Sequence, residues 1–488
     1  MGAVFTSEIV SDANAIDPIG VQYTEEKRDS ETAQSTASND TEECEKQGKW
    51  SELPSLPLEN IYSFLRREDQ VNMSLVCRSW SEGYSSPSVW KTFRFAFSGS
   101  QLSMDTCPVK KFVRKYSSMF RHVEIESTCE QDCLMNNWCR HFVEFLQILT
   151  SNTQLISVKF RYFSYYHYPI RDTLFYNDIC REIVDFLASQ RHLKRVEFEH
   201  CFFNFQKCVE ILRKLTESSR ESLTHLNIRG FDDHNPMSQE QNSNLAQNLP
   251  ANLPTLADLP NLTILETDYS LIFENMVAPQ SNNIQTIKRR QTRVLSRIIL
   301  NYSHTCMEID HFRGLTSTDW RLLQNLYPRL QVEFNFMRSS SSRRDVEFFI
   351  VPNMPISRLE FIHETMFPVL EIAVLIDHLL ACKTTEHLVT LRLFWQEPIQ
   401  NLSSTFIPFL QACKKLKCFE LFMCDTTGID VLLESWLENR PESLEKVIID
   451  IVNLHNENDA PGWINVNEYV SLLKLAGLNI SVNLYIYS

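Results

Sequence analysis

The stretch HLVTLRL, residues 387–393, sets Leu388, Leu391 and Leu393 at spacings of three and two, and the figure returns twice at intervals of 28 residues. The later copies are KLKCFEL (Leu416, Phe419, Leu421) and SLEKVII (Leu444, Val447, Ile449). Alternating apolar residues put their side chains on one face of a strand. Earlier copies are QLISVKF (Leu155, Val158, Phe160), HLKRVEF (Leu193, Val196, Phe198), SLTHLNI (Leu223, Leu226, Ile228), NLTIL (Leu262, Leu265) and VLSRIIL (Leu295, Ile298, Leu300). Their leading leucines are separated by steps of 38, 30, 39 and 33.

Between the copies lie segments with helical spacing, such as CREIVDFLASQ (Ile183, Val184, Leu187) and FIPFLQACKK. One strand plus one helix per period is the unit of a leucine-rich-repeat solenoid, in which each unit buries its leucines only against its neighbours. A doubly wound α/β domain also alternates strands and helices. The recurring Leu-x-x-Leu-x-Leu spacing favours the solenoid, over residues 96–488. The stretch 305–360 is irregular, although RLQVEFNF and ISRLEFI read as strands. Two segments look inserted: an Asn/Gln/Pro-rich surface loop near 231–255 and a polar turn near 338–345 that contains RSSSSRR.

At 488 residues the chain exceeds the size at which one core usually stops growing. Hydrophobic residues make up 43% and charged residues 22%, the balance of a folded soluble protein. Of the net charge of -14, half falls in residues 1–49, which hold eleven acidic and four basic side chains. This balance disfavours general nucleic-acid binding, which needs clustered Lys and Arg. Neither a signal peptide nor a membrane-spanning run is read, and the fourteen cysteines are expected to be reduced thiols in the cytoplasm or nucleus. MGAVFT matches the loose N-myristoylation pattern at Gly2 and Thr6, but a single acyl chain binds membranes only marginally and the acidic tail would repel anionic lipid. No membrane partner is expected.

The ten glycines are never closer than 15 positions, so no phosphate-cradling loop, dinucleotide fingerprint or nucleophile elbow exists. Cys129, Cys133, Cys139 and His141 supply only half of the paired spacing that a structural zinc site shows, and no metal is expected. Cys413, Cys418 and Cys424 surround a strand and read as core or near-core positions. Lys288, Arg289, Arg290, Arg293 and Arg297 read as a solvated helix face, with a nuclear-targeting or acidic-partner patch as the alternative.

The N-terminal region is different in kind. Residues 1–48 have the composition of a disordered acidic tail. Residues 49–95 read as a separate unit in which three short helices are expected from Trp50 to about Trp90, with Asp69 as one N-cap and Ser86-Pro87 as N-cap and first residue of another helix. KTFRFAF then reads as a strand carrying Phe93, Phe95 and Phe97 on one side. At about 100° per residue, Leu58, Ile61, Tyr62, Phe64 and Leu65 form a broad apolar arc on the first helix. A wheel continued from Val71 sets Leu75 on one face and Met73, Val76, Cys77 and Trp80 on another. One face serves a small internal core, and the other has nothing within the segment to meet.

WSELPSLPLENIYSFLRREDQVNMSLVCRSW, followed by Trp90, resembles an F-box, with a Trp three before Leu-Pro, an Asp then an apolar residue, Val-Cys-Arg-x-Trp and a closing Trp. The register runs from Leu53-Pro54, not Leu56-Pro57, because only the first puts Trp80 at the family spacing. The resemblance implies docking to the adaptor Skp1, and through it to a cullin-RING ubiquitin ligase, by Trp50, Leu53, Pro54, Leu58, Ile61, Leu65, Val71, Leu75, Val76, Cys77 and Trp80. Leu56 stands where the family has an acidic residue, and Pro57 where it has an apolar one. The degenerate repeats and the endings VEFNF and NLYIYS are similar to the F-box only protein 39 and 33 group. That pairing implies a substrate-recognition subunit that binds an unknown protein through the repeats, with no catalytic residues and no cofactor. The alternative is a Skp1-binding or general interaction scaffold with no ligase role. An enzyme with a site among the cysteines is the third reading.

Overall fold

The computed structural model describes residues 50–97, 108–127, 132–152, 154–163, 175–232, 253–278, 294–303, 309–338, 342–363, 370–396, 399, 401–424, 428–453 and 463–486. The tail over 1–48, Cys129, Lys288 to Arg293 and most of the expected loop over 231–255 lie outside them.

Among the described residues, thirteen strands form one sheet in the order of the chain. They are β1 (Thr92–Phe97), β2 (His122–Ser127), β3 (Ser157–Arg161), β4 (Arg195–Glu199), β5 (His225–Ile228), β6 (Ile264–Asp268) and β7 (Arg297–Ser303), followed by β8 (Gln331–Arg338), β9 (Ile356–His363), β10 (Thr390–Trp395), β11 (Cys418–Met423), β12 (Lys446–Asn453) and β13 (Asn479–Ile486). Every neighbouring pair is parallel and the sheet does not close on itself. A doubly wound sheet reverses its strand order at a switch point. Here the order never reverses, which is consistent with a solenoid.

The motif residues explain the stacking. Leu391, Phe419 and Val447 are in register on β10, β11 and β12, and each is fully buried. Leu393, Leu421 and Ile449 form a second buried row, and the leading residues Leu388, Leu416 and Leu444 are buried beside them. The helices that return the chain pack side by side, for example Leu402–Ala412 against Ile429–Asn439, which in turn meets Trp463–Leu475. Burial of each such Leu or Phe contributes roughly 1.5–3 kcal/mol relative to exposure.

Trp90, Phe120 and Leu155 stand three residues before Phe93, Val123 and Val158, which are aligned on β1, β2 and β3. The closing Trp of the N-terminal segment thus doubles as the leading residue of the first strand unit. It is buried, stacks on Tyr116 at 5.1 Å, and donates its indole N–H to the Tyr84 carbonyl at 2.8 Å. One apolar core runs without interruption from Leu58 to Ile480.

Several local expectations are corrected. Arg66, not Asp69, occupies the N-cap of the helix Arg67–Ser74, and Asp69 lies inside its first turn. Ser86-Pro87 opens a turn instead of a helix, with Val89 N–H donating to the Ser86 carbonyl at 3.1 Å. Phe231, expected to open a surface loop, is buried, and Asp232 bridges to Phe203. Both ends of the turn expected over 338–345 belong to regular elements: Arg338 ends β8, and Ser342 caps the helix Arg343–Phe349 through a capping box with Asp345. Within the stretch expected to be irregular, 305–360, β8 and β9 pair in register with their neighbours, apart from one irregularity between Val332 and Glu333.

Candidate functional site

Residues 50–90 form a turn of 3-10 helix, Trp50–Glu52, and three helices: α1 (Ser55–Phe64), α2 (Arg67–Ser74) and α3 (Arg78–Tyr84). Pro57 is the third residue of α1, and the first intrahelical bond runs from Leu58 N–H to the Pro54 carbonyl at 3.2 Å. The missing Pro57 N–H is therefore one that has no intrahelical acceptor in any helix. The departure from the family pattern leaves the helix start intact.

On α1 the buried pair Leu58 and Tyr62 faces inward. At about 100° per residue, Leu56 and Phe64 centre on the opposite side. Gly83 of α3 lies so close to α1 that a Cβ there would stand 2.5 Å from Leu58 Cδ2. Tyr62 then fixes α3, its hydroxyl donating to the Trp80 carbonyl at 2.7 Å. Burial raises the pKa of that phenol, which stays a neutral donor. The Trp80 indole donates to the Trp50 carbonyl at 2.9 Å, and Gln70 Nε2 donates to the carbonyls of Tyr62 and Leu65 at 2.7 and 3.2 Å. These bonds hold the ends of α1 and α3 and the linking turns in one arrangement.

With that interior closed, an apolar exterior remains. Trp50 is 66% exposed, Leu56 75%, Phe64 82%, Leu75 74% and Val76 66%. Among the described residues, five of the eleven exposed large hydrophobics thus fall within 50–76, a density that an isolated surface does not need. The wheel drawn from Val71 fails beyond Ser74, where α2 ends. Leu75 and Val76 sit in the α2–α3 link and point outward together, whereas Met73 and Trp80 pack on the core.

Of the other residues expected here, Leu58 is core, Pro54 is exposed, and Leu53, Ile61, Leu65, Val71 and Cys77 are partly buried. Sequence reasoning missed Leu56 and Phe64 as exterior residues and Gln70 and Gly83 as interior ones. The half-turn offset of Leu56 and Phe64 from Leu58 and Tyr62 was the available signal.

The other candidates that are described lie on separate elements. Cys139 and His141 are buried on the helix Asp132–Thr150, and among the described residues no group of three His, Cys, Asp or Glu is placed to hold a metal. Cys413 is buried, with its thiol pKa pushed up to about 12, while Cys418 and Cys424 are partly exposed with pKa values also raised by burial. Arg297 opens β7 and pairs with Glu333 at 3.2 Å instead of lying on a helix. Among the described residues no helix is long and apolar enough to cross a membrane.

Of the comparisons with known proteins, the family profile bears on this placement and the solved structure does not. A structural-genomics crystal structure of a protein from Bacteroides fragilis covers 81% of this chain and 76% of its own at 12% identity, with a TM-score of 0.28, too slight a likeness to carry a fold. The F-box-like family profile matches residues 50–96, the three-helix segment and β1, and the chain carries an F-box-like domain there.

Proposed function

We propose that the chain is a substrate-recognition subunit of a Skp1-cullin-F-box type ubiquitin ligase. F-box domains generally bind Skp1, and the observation that supports this role is the exposed set Trp50, Leu56, Phe64, Leu75 and Val76 on a hydrogen-bonded three-helix frame. In this reading the residues beyond the F-box-like domain are degenerate leucine-rich repeats of the F-box only protein 39 and 33 type, and they hold a protein substrate. The chain supplies no catalytic residue. It acts by proximity, since a substrate lysine held near a charged ubiquitin carrier reacts in an effectively intramolecular encounter.

The test is co-purification of Skp1 with the full-length chain and with the double variant Leu53→Ala, Pro54→Ala. The variant should lose Skp1, and retained capture would overturn the proposal. Cullin in the wild-type purification distinguishes a ligase subunit from a Skp1-binding scaffold.

A further inference from the structure

The face of the sheet turned away from the helices carries two rows rich in charged residues, several of which pair across strands. Lys159 lies 3.0 Å from Glu197 and 2.6 Å from Glu199, Arg161 bridges Glu124 and Glu199 at 2.9 and 3.0 Å, and Arg392 stands between Glu360 and Glu420 at 3.6 and 2.7 Å. Charges engaged in this way have little net field left for a ligand.

The next row, nearer the C-terminal ends of the strands, differs. Met337, Ile362, Phe394 and Phe422 are aligned on β8, β9, β10 and β11, and all four remain partly exposed. The rings of Phe394 and Phe422 stack with centroids 4.0 Å apart and planes 8° from parallel, a rigid apolar platform. One strand further on, the row reaches Asp450, whose carboxylate accepts from Asn483 Nδ2 at 2.7 Å. Asp450 is the one charged residue of the row from Met337 to Asn483.

We propose that this row is a docking surface for a protein segment that carries a large apolar or aromatic side chain with a Lys or Arg one or two positions away. The inference rests on the reading of the repeats as the substrate-binding part of the chain. Adjacent strands are about 4.8 Å apart, so an apolar side chain on the Phe394–Phe422 pair leaves a neighbouring long basic side chain within reach of Asp450. Beyond residue 49 the chain still carries a net charge of -7, which attracts a basic segment over longer range. The same charge argues against the chain's own N-terminal region, which is itself acidic, as the occupant.

The test passes a degenerate dodecapeptide library over the immobilised full-length chain. Peptides with an apolar or aromatic residue flanked by Lys or Arg should be enriched at least threefold over the input. Phe394→Ser should abolish the apolar selection. Asp450→Lys should exchange the basic preference for an acidic one while the apolar selection persists, a switch that misfolding does not produce. Absence of wild-type enrichment, or enrichment that neither variant alters, overturns the proposal. So does a wild-type dimer in light scattering that Phe394→Ser dissociates, since a second copy would then be the occupant. The library is read whether or not Skp1 co-purifies, so loss of Skp1 capture bears only on the docking role of the F-box-like domain.

Discussion

Trp90 stacks on Tyr116 at 5.1 Å with planes 20° apart, and this contact ties the last turn of the F-box-like domain to the helix that follows β1. Trp90 also meets Tyr84 edge-on at 4.9 Å and Phe93 at 6.1 Å, so one side chain serves both the three-helix frame and the strand array. Trp90→Ala should therefore cost about 3–5 kcal/mol of stability, the usual range for an aromatic-to-alanine change in a core. A denaturant titration measures it. A midpoint shift smaller than that of a surface substitution would show that the two parts are not joined there.

Leu75 and Val76 project into solvent from the α2–α3 link. Leu75→Asp and Val76→Asp should leave stability within about 0.5 kcal/mol, as surface changes do. Skp1 binding should nevertheless fall at least tenfold, because an apolar anchor becomes a buried unpaired charge in the complex. Titration calorimetry beside thermal melting reads both quantities. Equal binding by wild type and variants would remove the link from the docking face.

Glu274, buried on the helix Leu271–Val277, accepts from the Tyr269 hydroxyl at 3.0 Å, the Arg313 N–H at 3.0 Å and the Gly314 N–H at 2.7 Å. Hydrogen bonds to a charged acceptor contribute about 1.5–3 kcal/mol each, and an amide would turn a donor toward these N–H groups. Glu274→Gln should speed hydrogen exchange at Arg313 and Gly314 tenfold or more. Unchanged exchange would mean that the loop is held by other contacts.

Asp232 and Asp268 line one small pocket at the ends of β5 and β6, and burial pushes their carboxyls up from 3.8 to about 7 and about 6. Between the unfolded and folded values the folded chain binds more protons than the unfolded one, so stability falls as pH rises from about 4 to about 7. Asp232→Asn should flatten that slope in melting temperatures recorded across the range. A slope as steep as that of the wild type would place the titrating group elsewhere.

Much of the array was legible because a buried parallel strand admits only apolar side chains on its inner face. All eight motifs named from the sequence form strands with their leading leucines buried. Two more strands escaped the pattern. Phe120, Val123 and Ile125 of β2 keep its spacing with Phe in the leading place, and Leu478 before β13 is followed by Ile480 one residue early. The leading position requires bulk, not leucine. Phe394 and Phe422 were hidden for another reason. They continue the apolar runs LRLFW and FELFM, and composition alone does not say which neighbour turns outward. At the F-box-like domain the spacing of Trp50, Leu53-Pro54 and Trp80 fixed the register, whereas the outward turn of Leu75 and Val76 depends on where α2 stops.

The unbroken strand order also makes the sheet a ruler. Each inter-strand step advances by about 4.8 Å, so Phe422 on β11 lies ten steps, or about 48 Å measured along the sheet, from β1. Loss or gain of one strand and its helix would change that reach by a single step and leave every other pairing as it is. The span between the F-box-like domain and the Phe394–Phe422 platform is thus counted in whole strands.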